Sequence, residues 1–174
     1  MSIIHNGIET HIGNLFELYK EASFRRSEAY KLCDNERVDV IVHGCNAQGR
    51  MASGFAKELR ARFPGAYDDY MVAHDNGALE LGANIIHVND EHNVIISNSI
   101  TQNRYGYDGK KYVSYDGIDT CFENLNNMLK QLGNNVHVHF PLIGADLGGG
   151  NWNVISEIID SRLNDVHKHL YKLK

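Results

Sequence analysis

The sequence is poor in cysteine and proline and lacks long apolar runs, and each shortage excludes a class of protein. Its three cysteines, Cys33, Cys45 and Cys121, stand at unrelated spacings, which argues against a disulfide framework and favours reduced thiols. The two prolines, Pro64 and Pro141, begin no proline-rich linker. No apolar run approaches the roughly 20 residues of a membrane-spanning helix, and the first residues contain no apolar signal core. We therefore expect a cytoplasmic protein without a membrane anchor.

Positive charge is also scarce. The chain has 17 Lys and Arg residues against 22 Asp and Glu residues, a net charge of −5. Binding along a nucleic acid needs a basic stripe, and the basic clusters here are no longer than the pairs at residues 25–26 and 110–111. We therefore expect no extended nucleic-acid binding. A phosphate-bearing ligand would have to be held by local backbone donors, because the overall field repels anions.

What the chain does contain is an ordinary globular composition, with 43% hydrophobic and 22% charged residues among 174. This predicts one domain over residues 1–174, and we expect it to be monomeric. Apolar periodicity predicts strands at 1–4, 8–12, 38–43, 85–88, 94–98, 136–140 and 167–173, and helices at 53–63, 66–74, 114–132 and 152–163. Residues 15–32 are predicted to be partly helical. The alternation predicts an α/β fold, a three-layer α/β/α sandwich around a mixed, mostly parallel sheet.

Two glycine-rich loops follow predicted strands and lead into predicted helices, at residues 43–54 and 141–152. Glycine lets successive peptide N–H groups turn toward one anion, and a helix N-terminus adds unpaired donors. Ligands of open α/β sheets bind beyond the carboxyl ends of the strands. The two loops therefore predict a grip on a diphosphate from both sides, the alternative being two tight turns. Neither loop has the P-loop or the dinucleotide fingerprint.

Three segments carry a resemblance to a known family. Residues 46–56 (NAQGRMASGFA) resemble the Asn-Ala-x-Gly…Gly-ϕ-Ala signature of macrodomains, and residues 141–152 (PLIGADLGGGNW) are similar to that family's Pro-x-Ile-Gly-x-Gly-ϕ…Trp segment. Residues 13–16 (GNLF) resemble its Gly-Asp-Ile/Leu-Phe. The resemblance covers essentially the whole chain. Within the family, the sequence looks closest to small proteins similar to ADP-ribose 1″-phosphate phosphatases and to the terminal ADP-ribose glycohydrolases.

The resemblance implies a site for ADP-ribose or its 1″-phosphate, without cofactor or metal. Asn14, next to Leu15, would lie at the adenine where family members use an aspartate, and its amide oxygen accepts without the assistance of a charge. Asn46 would bind the distal ribose, and Gly49 would let that ribose approach. The other residues implied to bind ligand are Met51, Ala52, Ser53, Gly54, Gly144, Leu147, Gly148, Gly149, Gly150 and Asn151.

Three residues are candidates for catalysis: Asp146, His43 and Asn46. Asp146 occupies a place where many macrodomains have glycine, so its carboxylate is expected near the distal ribose as an acid/base or water-orienting group. His43 ends a predicted buried strand and is interpreted as its helper. The alternatives are a hydrogen-bonded structural histidine and an N-cap-like carboxylate.

Two departures from the family bear on the reaction. Macrodomains that release ADP-ribose from acidic side chains commonly carry an aspartate early in the first-loop helix, and residues 55–57 offer none. The glycohydrolase branch uses a lysine nucleophile after the strand that corresponds to residues 94–98, and residues 99–104 contain no lysine. The resemblance therefore favours a phosphatase acting on ADP-ribose 1″-phosphate. The alternatives are a hydrolase that removes ADP-ribose from protein or nucleic acid, and a non-catalytic reader of ADP-ribose.

Two further features stand outside these loops. His137 and His139 share one face of a predicted strand, a spacing able to bind zinc, but no third ligand accompanies them in sequence. We interpret them as sheet-face histidines and predict no metal. The Gly/Tyr-rich run at residues 105–112 is either an exposed connection or a loop that closes over the distal ribose, with Tyr112 or Tyr115 stacking on it.

Overall fold

A computed structural model describes residues 3–22 and 36–174. Its single sheet has the order β1-β2-β7-β6-β3-β5-β4. The strands are β1 (Ile3–His5), β2 (Ile8–Ile12), β3 (Val38–Asn46), β4 (Asn84–Asn89), β5 (Val94–Gln102), β6 (Val136–Phe140) and β7 (His167–Lys172). The pairs β1–β2 and β4–β5 are antiparallel and the other neighbours are parallel. The predicted mixed, mostly parallel sheet is confirmed.

The described residues form five helices: α1 (Leu15–Leu18), α2 (Gly54–Arg62), α3 (Pro64–Asp75), α4 (Tyr115–Leu129) and α5 (Trp152–Arg162). Each long helix lies where apolar periodicity predicts one. Of the partly helical segment predicted at 15–32, the first turn is helical, and the part from residue 23 onward lies outside the described residues, as does Cys33.

The sheet is covered on both faces, which produces the three predicted layers. Alternate residues of a strand point to opposite faces. Val40 and Val42 pack with α4 and α5 in one core, whereas Ile41 packs with α1, α2 and α3 in the other. All three valine and isoleucine side chains are fully buried. This is why the β3 sequence is almost continuously apolar.

The core beneath α4 offers a test of this packing. Phe122 of α4 is fully buried, and we expect Phe122→Ala to lower the free energy of unfolding by about 3–5 kcal/mol through lost burial and a cavity. The control is Val154→Ala on α5, where the side chain is 40% exposed and the expected loss is below about 0.5 kcal/mol. Urea unfolding measures both, and equal losses would contradict the assigned core.

The topology brings both glycine-rich loops to one edge of the sheet. β3 lies between β5 and β6, and all three strands run in parallel. Their carboxyl ends therefore meet at the same edge, where the loops after β3 and β6 lead into α2 and α5. None of the helices in the described part of the chain is both long and apolar enough to cross a bilayer.

Candidate ligand-binding cleft

A cleft of about 620 Å³ lies at this edge. Its two long walls are the loop before α2 and the loop after β6, and the chain ends of β5 and β7 complete it. Most of the predicted ligand-binding residues line it, namely Asn14, Leu15, Asn46, Met51, Ala52, Ser53, Gly54, Gly144, Leu147 and Gly148. The candidate catalytic residues Asp146 and His43 also lie on its lining.

The first wall presents the N-terminus of α2, and this terminus is uncapped. Ser53 stands at the N-cap position but makes no capping hydrogen bond, and its Oγ instead accepts from the Tyr107 hydroxyl at 3.1 Å. By contrast, α1, α4 and α5 are each capped by a side chain, from Asn14, Ser114 and Asn151. The N–H groups of residues 54–56 face no acceptor in the described part of the chain. Such a terminus is an anion-binding site.

The second wall is a tightly curled turn that only glycine permits. Gly144 has a φ of 71°, and a Cβ there would lie 2.5 Å from Cγ2 of Val113. The N–H of Gly150 donates to the Gly144 carbonyl at 2.7 Å and closes the curl. Within the described residues, the N–H groups of 146–148 at its tip have no protein acceptor. Both walls therefore offer unpaired backbone donors.

Four of the predicted ligand-binding residues do not line the cleft. Gly49 has a φ of 78° and packs against the ring of His74. The N–H of Gly149 donates to the carbonyl of Asp146 at 3.1 Å, and Gly150 closes the same turn. The fourth, Asn151, accepts from the N–H of residue 153 at 2.9 Å and caps α5. These four residues shape the two loops that form the walls of the cleft.

Asn46 holds the first loop together. Its Oδ1 accepts from the N–H of Gln48 at 3.0 Å and from the Tyr70 hydroxyl at 3.1 Å, while its Nδ2 donates to the carbonyl of Arg50 at 2.8 Å. The residue is 9% exposed and lies on the cleft floor. Its amide is therefore engaged in positioning the loop that carries the uncapped helix.

Asn14 lines the cleft and holds a carboxylate beside it. Its Oδ1 accepts from the N–H of Phe16 at 2.8 Å, and its Nδ2 donates to Oε1 of Glu58 at 3.0 Å. Glu58 also lines the cleft, although it was not among the ligand-binding residues predicted from the sequence. The available signal was its position four residues after Gly54, which places the two on one face of α2. A carboxylate therefore stands beside Asn14, whose own side chain carries no charge.

His43 is almost fully buried at the base of the cleft. Its side chain is 1% exposed, and its Nε2 donates to Oδ1 of Asn98 at 2.6 Å. Burial lowers the pKa of His43 to about 4 despite that hydrogen bond, so the ring is neutral near pH 7. Asp146, in contrast, is exposed on the rim of the cleft. This geometry favours the alternative interpretation of His43 as a structural histidine joining β3 to β5.

The buried ring predicts a pH dependence of stability. A folded-state pKa near 4 and an unfolded value of 6.5 mean that the unfolded state binds more protons between these values, so stability falls as the pH falls from 6.5 toward 4. From pH 8 to pH 5 we expect the wild type to lose about 2 kcal/mol more than His43→Gln, which keeps an amide donor but does not titrate. Urea unfolding at both pH values measures this difference, and parallel losses in the two proteins would contradict it.

Two tyrosines border the cleft from the loop after β5. The hydroxyl of Tyr107 reaches Ser53, and the ring of Tyr105 lies under the guanidinium of Arg50 at 5.3 Å. Tyr112 and Tyr115, which the sequence offered as stacking residues, do not line the cleft. The Tyr112 hydroxyl donates to Asp108 and the Tyr115 hydroxyl accepts from the N–H of residue 151. The tyrosine-rich loop does approach the cleft, through Tyr105 and Tyr107.

The end of β5 carries an amide in place of a nucleophile. Gln102 lines the cleft, and its Nε2 donates to the carbonyl of Arg104 at 2.7 Å. Among the described residues, the lysines that line the cleft are Lys172 and Lys174, and the carbonyl of Lys172 accepts from the N–H of Gly13 at 2.8 Å. Lys172 therefore lies beside the segment that carries Asn14.

Comparisons with known proteins point to one family. No protein-family model matches the chain. An uncharacterized 17.5 kDa protein from the tk-vs intergenic region of Enterobacteria phage T4 is 28% identical over 124 residues, which cover 70% of this chain and 77% of that protein. A macrodomain protein from Streptomyces coelicolor is 27% identical, with a TM-score of 0.65 over 82% of this chain and 93% of that one.

A third comparison concerns the fold. Thermosipho africanus DarTG, solved in complex with ADP-ribose, is 20% identical with a TM-score of 0.64, over 78% of this chain and 38% of that one. The sheet order, the two glycine-rich loops at one sheet edge and these likenesses agree with one another. We therefore conclude that this chain has the macrodomain fold.

Proposed function

We propose that the cleft binds ADP-ribose, with the diphosphate held between the N–H groups of residues 54–56 and those of residues 146–148. The observation that carries this proposal is the uncapped N-terminus of α2, which shares one cleft with a second set of unpaired backbone donors. In a chain with a net charge of −5, such local donors supply the attraction that the overall field does not. The ligand seen in Thermosipho africanus DarTG, which shares this fold, supports the same choice.

We propose that the polar groups lining the cleft orient the ligand. Glu58 and Asn14 offer acceptors, which suit the exocyclic amine of adenine. The exposed carboxylate of Asp146 and the ring of Tyr105 also border the cleft. We assign the adenosine to Glu58 and Asn14 and the distal ribose to Asp146 and Tyr105.

For the reaction, we propose hydrolysis of ADP-ribose 1″-phosphate to ADP-ribose and inorganic phosphate. Asp146 would orient a water and take its proton as the water oxygen attacks phosphorus. The bond between phosphorus and the 1″ oxygen breaks, and that oxygen takes up a proton as ADP-ribose leaves.

Two alternatives share the same cleft. A hydrolase that releases ADP-ribose from modified protein or nucleic acid through a lysine-linked intermediate has no attacker at the end of β5, where Gln102 stands. Among the described residues, the lysines that line the cleft are Lys172 and Lys174, and Lys172 lies beside Gly13. A reader would bind ADP-ribose without turnover. We further propose that residues 1–174 act as one monomeric domain in the cytoplasm.

Calorimetry with ADP-ribose, followed by product analysis on its 1″-phosphate, tests the proposal. We expect one ADP-ribose per chain, and release of inorganic phosphate from the 1″-phosphate. Binding without any product would select the reader. Release of ADP-ribose from modified macromolecules, with the 1″-phosphate left intact, would select the hydrolase. Absence of binding would refute all three.

A further inference from the structure

A row of imidazoles lies buried in the sheet, on the side covered by α1. Parallel pairing sets His137 beside His167 and His139 beside His169 in β6 and β7, and Glu9 of β2 beside His169. His137 and His139, whose spacing alone would allow zinc binding, do not converge: His139 bonds to Asp39 and to the Tyr171 hydroxyl, both at 2.8 Å, whereas His137 turns toward His169. The interpretation of His137 and His139 as sheet-face histidines is confirmed for their placement.

A chain of hydrogen bonds determines which ring nitrogen of His169 carries the lone pair that a metal ion would need. Oδ1 of Asn135 accepts from Nε2 of His137 at 3.0 Å, so Nδ1 of His137 carries a lone pair. That lone pair accepts from Nε2 of His169 at 2.9 Å. The lone pair of His169 is therefore on Nδ1, which faces Nε2 of His11 at 2.9 Å. A second-layer partner of this kind is what orients a metal-binding histidine.

A carboxylate completes the group. Oε2 of Glu9 lies 3.6 Å from Nδ1 of His169, and the ligand atoms of Glu9, His11 and His169 all lie within 4.8 Å of one another. Glu9 and His169 are buried, whereas His11 is partly exposed. Two of the three candidate ligands are therefore held in the interior, and the third, His11, is reached by solvent.

We propose that Glu9, His11 and His169 form a site for a divalent first-row transition metal, with Zn²⁺ the preferred ion. Two imidazole nitrogens and one carboxylate oxygen are a typical set for zinc, and they leave a fourth position for water on the side of His11. The rings need to part only slightly, since two nitrogens on a tetrahedral zinc lie about 3.4 Å apart. The site departs from the sequence-based prediction of no metal, because its ligands come from strands that meet only in the fold.

The consequence of occupancy is structural. Glu9 and His11 belong to β2 and His169 belongs to β7, so the ion would cross-link these two strands. His11 also stacks on Tyr171, with ring centroids 4.9 Å apart. A bound metal would stabilise the folded state and raise the Tm, because the unfolded chain does not assemble the three ligands.

Zinc titration of the tag-free, chelator-treated chain tests the site, with a chromophoric chelator as competitor and Co²⁺ absorption as a report of coordination. We expect one Zn²⁺ per chain and a rise in Tm on binding. His11→Ala should weaken zinc affinity by about a hundredfold, and Glu9→Gln by about tenfold or more. The control is His5→Ala on β1, an exposed histidine of the same hairpin, which should bind zinc as the wild type does.

Three results would overturn the proposal: no zinc binding by the wild type, unchanged affinity in His11→Ala, or an equal loss in His5→Ala. Thermal unfolding of each metal-free variant shows whether it is folded, and His11 is chosen because its partly exposed side chain can be truncated without opening the core. The spectrum of the Co²⁺ form adds a second readout. An octahedral, water-rich spectrum would also contradict the site, because the three ligands predict a low coordination number.

Discussion

Gly54→Asp should weaken ADP-ribose binding by about a hundredfold or more, because it places a carboxylate at the uncapped end of α2. Gly54 has a φ of 58°, and a Cβ there meets nothing within 4 Å. Asparagine and aspartate tolerate this conformation better than other side chains. Two like charges about 5 Å apart, at an effective dielectric constant of about 20, repel by about 3 kcal/mol, so the loss comes from charge and not from misfolding.

Two matched variants isolate that effect. Gly54→Asn has nearly the same shape without the charge, and its expected loss of affinity is below about tenfold. Gly77→Asp makes the same substitution at a φ of 70°, also in open space, and Gly77 does not line the cleft, so binding should match the wild type. Calorimetry with ADP-ribose measures all three. Equal affinities for the aspartate and asparagine variants at position 54 would show that the diphosphate lies elsewhere.

Asp146→Asn should slow phosphate release from ADP-ribose 1″-phosphate by about 10²–10⁴-fold, the usual contribution of a general base. The amide keeps the size of the side chain but cannot take a proton from water. Because the side chain is exposed and the proposed phosphate contacts come from backbone N–H groups, the affinity for ADP-ribose should stay within about threefold.

The control for this substitution is Asp90→Asn, an exposed carboxylate in the turn between β4 and β5. It removes one negative charge at the sheet edge opposite the cleft and should leave turnover unchanged. A malachite-green assay of phosphate release, paired with calorimetry, separates the two effects. Unaltered turnover in Asp146→Asn would remove Asp146 from the mechanism, and lost affinity with normal kcat would make it a binding residue.

The fold could be predicted from the sequence because the apolar patterns of the strands and helices agree with the tertiary structure. Two strands, β3 and β5, are longer than predicted, and both for the same physical reason. β3 was predicted to end at His43 but continues to Asn46, and β5 was predicted to end at Asn98 but continues to Gln102. Several of the added residues are polar yet buried, and some of them find a partner across the sheet. Ser99 Oγ, for example, donates to Oδ1 of Asn84 at 2.6 Å. Such hydrogen bonds satisfy buried polar groups and let a strand continue through them. A prediction from apolar periodicity ends the strand at the first polar residues.

The site was predictable to the level of the two loops, and not to that of individual contacts. Motif glycines at 149 and 150 shape the turn through their backbone bonds, which sequence spacing cannot separate from ligand contacts. Glu58 reaches the cleft from α2, and Tyr107 reaches it from the loop after β5. Their positions depend on how these two segments pack in the folded protein, which the sequence pattern does not show. The cluster of Glu9, His11 and His169 spans 160 residues of sequence and arises only when β2 pairs with β7.

A crystal structure of the chain soaked with ADP-ribose tests most directly whether peptide nitrogens hold the diphosphate. We expect phosphate oxygens within about 3 Å of the N–H groups of residues 54–56 and 146–148, with the adenine beside Glu58. A diphosphate bound by lysine or arginine side chains outside these loops, or a cleft left empty at saturating ligand, would contradict it.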